Sequence, residues 1–374
     1  MDDKPINRNV LVNGPGTVGR NVVDALLIAK KERIFPIGNV FVYKHTFRKR
    51  EVPSLRDIER GGGSFVVKDC KTAEQFVSHG VSPSFVSLES AIKECGIIID
   101  CTDDGIPTNT RAECYNKFDD GTRHFGCQGS KQDRAFGDTI AIGINESVLN
   151  QTQWLQALNC NGHASSTVIN ALCFDQVGLN LQHGHLVIQG RDSELRKGKG
   201  SGDRVGGFTA KEHNDAQNGT HQAGSIARLY KSIGIDLSLS ASATAAPSPY
   251  MHLTCARFEL CRQVTREWVL GRLMSAPLIT TTEYMSANEN YAVLKDRAVR
   301  LNLPLSVVIV PLSTVWVAPG NMAIQLEYFT PQEHNVVLTS LAIVAWHLRD
   351  VRPDEYNYDS MVESAIQRFL VKQI

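Results

Sequence analysis

Cys160 stands in the run Leu158-Asn159-Cys160-Asn161-Gly162-His163-Ala164-Ser165-Ser166-Thr167, behind a short apolar stretch and ahead of the periodic segment Val168 to Phe174. That placement predicts a sulfur at a helix N-terminus, where the dipole favours thiolate over thiol and the thiolate can attack an aldehyde. A structural cysteine is the competing reading of this segment. The Asn161 side chain and the Cys160 amide could donate to an oxyanion developing beside the sulfur. Most of the other cysteines (Cys70, Cys95, Cys101, Cys114, Cys127, Cys173, Cys255, Cys261) lie in apolar or strand-like surroundings, the usual setting of inert core thiols. The total of nine is odd, with no C-x-x-C pair and no zinc-like clustering, so a reduced compartment and no metal are expected.

Oxidising a hemithioacetal requires a group that takes the hydroxyl proton as hydride leaves, and a histidine suits that task. Among the eleven histidines, His221 lies in the polar run Asn218-Gly219-Thr220-His221-Gln222 before a helical stretch, with His213 and His163 as competitors. A substrate phosphate would call for Arg or Lys. Arg191, Lys197 and Lys199, on the segment leaving the strand candidate His185 to Gln189, are available, against the alternative of a solvated charged loop.

A second chemical signal is Asn13-Gly14-Pro15-Gly16-Thr17-Val18-Gly19, which follows a strand candidate and opens the helical stretch Arg20 to Lys31. This is the context of a dinucleotide fingerprint. Gly14 allows the tight turn, Gly16 lets a pyrophosphate approach the backbone, and Gly19 lets helix and strand pack closely. The pyrophosphate would rest on the helix N-terminus. An NAD-binding chain places Asp or Glu about 20 residues further on to bond the ribose 2′-hydroxyl. Here the sequence reads Lys44-His45-Thr46-Phe47-Arg48-Lys49-Arg50. Lys44 and Thr46 could bond a 2′-phosphate and Arg48 or Arg50 add charge, which predicts NADP, with NAD possible.

These residues need a scaffold, and 374 residues suit two domains better than one core. Apolar content of 42% and charged content of 21% describe a globular chain. Thirty-nine basic residues balance thirty-nine acidic ones, so no global field recruits nucleic acid or an anionic membrane. Neither a leader peptide nor an 18-residue apolar span is visible, and a cytoplasmic address is expected. Strand candidates Asn9 to Asn13, Val40 to Tyr43, Ile97 to Cys101, His124 to Cys127 and Thr139 to Ile144 alternate with helical stretches, as in a doubly wound parallel sheet of Rossmann type. From Leu158, longer runs at His185 to Gln189, Leu305 to Val310, Thr314 to Val317 and Ala323 to Tyr328 suggest an α+β domain with a mixed or antiparallel sheet. Arg196 to Gly207, rich in glycine and charge, reads as a loop. The expected division is 1–157 for the cofactor, 158–335 for catalysis, and C-terminal helices over 336–374 packing back on the first domain.

NGPGTVGR (13–20), DCTDDGI (100–106), FGCQGSK (125–131), NCN (159–161), MHL (251–253) and PQEHNVV (331–337) occur in this order and spacing. Together they resemble the landmarks of the archaeal-type, or type II, glyceraldehyde-3-phosphate dehydrogenases, across nearly the whole chain. The resemblance implies Cys160 as nucleophile and His221 as base, in a loop where the family has a histidine pair. It implies cofactor contacts from Thr17, Val18, Gly129 and Gln332, and substrate contacts from Asn159 and Asn161. Arg191 and Thr220 are grouped with these substrate contacts. A phosphorylated aldehyde, inorganic phosphate and a homotetramer follow as expectations. The substrate side departs from the family: Gly162 and His163 replace two threonines, Gln189-Gly190-Arg191 replaces paired arginines, and the histidine loop is longer. A semialdehyde or acyl-phosphate reductase, and an NADP-binding protein without activity, are therefore the alternatives.

Overall fold

The structure is a computed structural model that describes residues 6–129, 135–191, 207–248, 250–301, 303 and 305–374. Two compact units divide the chain: residues 1–140, 148–157 and 337–368 form the first, and 141–147, 158–336 and 369–374 the second. This is more interleaved than the three consecutive blocks that sequence suggests.

The first unit alternates strands and helices: β1 (Val10–Asn13), α1 (Thr17–Lys31), β2 (Val40–Lys44), α2 (Val52–Arg60), β3 (Gly63–Val67), α3 (Cys70–Val77), β4 (Pro83–Val86), α4 (Leu88–Lys93), β5 (Ile97–Asp100), α5 (Ile106–Glu113), β6 (His124–Cys127), β7 (Asp138–Ile140) and β8 (Trp154–Ala157). The strands form one parallel sheet in the order β4-β3-β2-β1-β5-β6-β8-β7. Parallel strands covered on both faces read as unbroken apolar runs, which explains VLVN at β1 and IIID at β5, buried throughout. The strand order reverses between β1 and β5. At such a switch point the carboxyl ends diverge and leave a crevice for ligand.

The second unit begins with α6 (Cys160–Leu172) and a short antiparallel hairpin, β9 (Phe174–Asp175) and β10 (Gly178–Leu179). Then follow β11 (Leu181–Arg191), β12 (Thr209–Ala210), α7 (His221–Lys231), β13 (Leu239–Ala246), β14 (His252–Leu260), α8 (Arg266–Ser275), β15 (Ile279–Thr282), α9 (Ala287–Leu301), β16 (Val308–Pro311), β17 (Trp316–Val317) and β18 (Ala323–Thr330). Their sheet is mixed, in the order β12-β13-β11-β14-β18-β16-β15 with β17 beside β18. One face is the core: Leu186, Ile188, Ala256, Phe258, Leu326 and Tyr328 pack with Val168, Ile169 and Leu172 of α6 and Ile226 and Tyr230 of α7. Burying side chains of this size stabilises by about 1.5–3 kcal/mol each. Small residues at Ala164, Ser165 and Ser166 let α6 lie close, and the Tyr328 hydroxyl donates to Ser165 Oγ at 2.7 Å.

Two helices close the chain, α10 (Val337–Leu348) and α11 (Tyr358–Phe369). Within the first unit α10 is buried almost all round, and its sequence VLTSLAIVAWHL is accordingly mostly apolar. It is tied by Ser340 to Gln128 and by His347 to His124, Nδ1 to Nδ1 at 3.0 Å. Among the described residues, no helix is long and apolar enough to cross a membrane.

Candidate active site

In the first unit the glycine fingerprint forms the turn from β1 to α1. Gly14 has φ of +81°, and a Cβ there would meet Thr102 Cγ2 at 2.8 Å. Gly19 is more confined still, since a Cβ would sit 2.2 Å from the Gly14 carbonyl oxygen and 2.9 Å from Cys101 Cβ. Gly16 is the opposite case: its Cβ would face nothing within 4 Å, so the side from which a phosphate would come is open. No side chain caps α1. Its first-turn amides at Thr17 and Val18, both partly exposed, are thus left for an anion.

Beneath this turn lies a buried network that sequence reasoning did not identify. Asn13 Nδ2 donates to Asp100 Oδ2 at 3.0 Å, and the Tyr115 hydroxyl donates to the same oxygen at 2.8 Å. Asp100 Oδ1 accepts from the Thr102 amide at 2.9 Å. Burial raises the Asp100 carboxyl above its usual range, against the pull of these donors. The aspartate ties the ends of β1 and β5 together at the switch point. Gly129 follows β6 at the same edge, lining a cavity with Asp104, Gln128 and Gln156.

The basic turn after β2 is less free than its sequence suggests. Lys44 is held by Glu51 at 2.6 Å, and Arg48 lies 3.7 Å from the same carboxylate. Thr46 is exposed, with its hydroxyl 3.4 Å from His45 Nδ1, and Arg50 is exposed too. Glu51, at the end of the basic run, was the missing element. It partly neutralises the charge offered to a 2′-phosphate.

In the second unit Cys160 is the first residue of α6. Asn159 caps the helix, its Oδ1 accepting from the Gly162 amide at 2.8 Å. Helix formation thus begins well before the periodic stretch at Val168, because the cap and a buried polar first turn supply what apolar spacing does not. Asn159 Nδ2 and Asn161 Oδ1 are buried without a hydrogen-bond partner among the described residues. The two asparagines flank Cys160 in the chain, and buried polar atoms in that state are available to a ligand.

The expected resting thiolate is not what the surroundings favour. Burial pushes the Cys160 thiol up to about 11, outweighing the Asn161 amide and the Arg191 guanidinium, which pull it down, while Glu333 pushes it further up. Arg191 ends β11 with its side chain almost fully buried. Its Nε donates to Gln332 Oε1 at 2.7 Å and its guanidinium pairs with Glu333 at 2.6 Å. The Arg191 amide donates to His252 Nδ1 at 2.8 Å. Burial first, then the Arg191 and Lys211 cations, hold His252 down at about 3, with Gln332 opposing. His252 is therefore a neutral ring whose proton sits on Nε2. Arg191 and Gln332, singled out separately in the sequence, meet here, whereas Glu333, His252 and Lys211 were missed. MHL and PQEHNVV carry two of these residues, but nothing in either motif predicts a buried ion pair.

His221 opens α7, with its amide donating to Asn214 Oδ1 at 3.0 Å and its ring Nδ1 3.4 Å from Asn214 Nδ2. Thr220, the N-cap residue, makes no side-chain cap, and its hydroxyl is buried without a partner among the described residues. His163 is buried one turn beyond Cys160, its ring beside Asn335 and the Ile142 backbone, and burial lowers it to about 4. His213 is exposed. Lys197, Lys199 and the segment 196–206, expected from sequence to be a loop, lie outside the described residues.

No family model matches the chain. Among curated proteins it is similar to glyceraldehyde-3-phosphate dehydrogenases, at 24% identity to that of Sulfolobus acidocaldarius, with 76% of each chain covered. Identity is 22% to the Pyrobaculum islandicum protein, covering 75% of this chain and 74% of that one, and 20% to that of Methanoregula boonei, covering 78% of each. Among solved structures it is similar to aspartate semialdehyde dehydrogenase II of Vibrio cholerae in complex with ASA. That likeness has a TM-score of 0.62 and 13% identity, covering 92% of this chain and 99% of the other. The fold, a Rossmann-like unit joined to a mixed-sheet unit, is the one these two share.

Proposed function

We propose that this chain is an NAD(P)-dependent phosphorylating aldehyde dehydrogenase acting through a thioester on Cys160, with glyceraldehyde 3-phosphate as the aldehyde and 1,3-bisphosphoglycerate as the product. The observation that carries it is Cys160 at the first turn of α6, between two asparagines with unmet hydrogen-bonding atoms and within the field of Arg191. The glycine turn fits a dinucleotide, because Gly16 is open and the α1 amides are uncapped. When bound, the nicotinamide accepts the hydride.

The residues do the rest. Cys160 adds to the carbonyl after losing its proton, and the Cys160 amide with the side-chain Nδ2 groups of Asn159 and Asn161 donates to the oxygen that gains charge. His252, neutral with its proton on Nε2, is suited to donate to that oxygen. A histidine takes the hydroxyl proton as hydride departs. His221 is that base, as read from the sequence, while His252, its Nδ1 taken up by the Arg191 amide and its proton on Nε2, acts as a donor. His221→Asn lowers kcat by roughly 10²–10⁴-fold with little change in KM, and an unchanged kcat contradicts the assignment. Inorganic phosphate cleaves the thioester to an acyl phosphate.

NADP is the proposed cofactor through Lys44 and Thr46, and Thr17, Val18, Gly129 and Gln332 are proposed to contact it. Asn159, Asn161, Thr220 and Arg191 are proposed on the substrate side. A cytoplasmic homotetramer is part of the same reading and is tested by light scattering. An amino-acid semialdehyde is the second substrate reading. It is favoured by the likeness to the Vibrio cholerae fold and by the Gln189-Gly190-Arg191 departure. Phosphate-dependent NADP reduction with glyceraldehyde 3-phosphate and with aspartate semialdehyde decides between them. Turnover with neither would contradict both.

A further inference from the structure

Arg191 presents a contradiction if it exists only to activate a thiol. A guanidinium near a sulfur favours the thiolate. Yet its charge is met inside the protein by Glu333 at 2.6 Å, with the arginine side chain only 1% exposed. The fold brings this pair to the start of α6: the ring of His163, one turn along from Cys160, lies beside Asn335. Asn335 closes the turn that carries Glu333, its amide donating to the Pro331 carbonyl at 3.0 Å. Both charges of the pair act on the sulfur, in opposite senses.

We propose that the Glu333 carboxylate is a restraining charge on Cys160: by pairing with Arg191 in the interior it offsets part of the guanidinium's pull on the sulfur and makes the nucleophile slower to react than burial alone would. Glu333 is here a positioning residue, and the proposal rests on the reading of Cys160 as nucleophile. Among the described residues, the charged and titratable groups around the pair are Arg191 at the end of β11, Glu333 and His334 in the turn after β18, His252 at the start of β14, His163 on α6 and Lys211 after β12. Burial keeps His252 at about 3 and His163 at about 4, and lowers His334, so these rings are neutral above about pH 7. The reactivity of Cys160 near pH 8 then reports the Arg191 and Glu333 charges.

The test is alkylation by iodoacetamide, a neutral reagent, followed by mass spectrometry of the Cys160 peptide as pH is raised. Glu333→Gln keeps an acceptor for Arg191 and removes the charge. The proposal predicts a shift of the profile to lower pH by roughly one unit, hence alkylation about tenfold faster at about pH 8. Glu327→Gln, on β18 and in contact with Cys255 Sγ at 3.6 Å, leaves the rate unchanged. The fully buried Cys95 and Cys173 gauge loosening, and they stay slow if the effect is electrostatic. The double variant Arg191→Gln with Glu333→Gln returns Cys160 to the slow rate. A Glu333→Gln rate equal to or below wild type overturns the proposal, as does a double variant that stays fast. Failure of the parent reading looks different: NADP reduction would survive in Cys160→Ala while the alkylation shift persists.

Discussion

Helices α1 and α6 both open on a first turn that a ligand could use, and they are prepared for it in opposite ways. The α1 turn is made of backbone: three glycines, no cap, and a hydrogen-bonded aspartate beneath. The α6 turn is made of side chains. Asn159 caps it, nearly every residue of the helix is buried, and the charges acting on its first residue come from Arg191 and Glu333. A phosphate needs unshared amides and room, which glycine supplies. A nucleophile needs a controlled field, which requires charged groups gathered from distant parts of the chain.

That contrast predicts a graded set of effects. The largest is Gly19→Val in the backbone-built turn, where a side chain would run into the Gly14 carbonyl. Overpacking of this kind costs on the order of 1–3 kcal/mol, and calorimetric cofactor titration should show no binding. Gly16→Ala sharpens the comparison, because its Cβ meets nothing within 4 Å. Melting temperature is expected to stay put while cofactor affinity falls. If stability fell too, the turn would be a packing device and not an open site.

In the side-chain-built turn the order reverses, and Asn159→Ala should cost about 1 kcal/mol in stability through the lost cap while leaving cofactor binding intact. Denaturant melts and titration of the same variant separate the two. The pH profile carries the same signature. With the Cys160 thiol up at about 11, the reactive thiolate fraction rises with pH, so the single-turnover rate should climb from pH 6 to 9. A flat profile would mean that ligands bring the thiol down before chemistry. The smallest effects belong to the basic turn: Glu51→Gln should raise the NADP over NAD preference a few-fold and Lys44→Met lower it, in steady-state kinetics.

The same contrast explains what the sequence disclosed. Gly14, Gly16 and Gly19 could be read because each answers a local steric demand of a strand-to-helix turn, and the apolar runs of β1, β2 and β5 could be read because parallel strands are buried on both faces. The strand at Leu239–Ala246 escaped notice, since LSASATAA alternates only between small residues and lacks the β-branched bulk that marks a strand. Asp100 looked like part of a motif and proved to be a buried anchor between two loops. Glu51 and Glu333 were invisible as partners because each pairing is a property of the fold: Glu333 meets an arginine 142 positions earlier. His252, the second residue of MHL, could not be singled out for the same reason, because its bond to the Arg191 amide joins residues 61 positions apart.

The central claim, that chemistry passes through Cys160, is tested most directly by phosphate-dependent NADP reduction with glyceraldehyde 3-phosphate in wild type and Cys160→Ala. The account predicts turnover in wild type and a loss of roughly 10³-fold or more in the variant, with cofactor binding retained. Turnover in Cys160→Ala equal to wild type would contradict it.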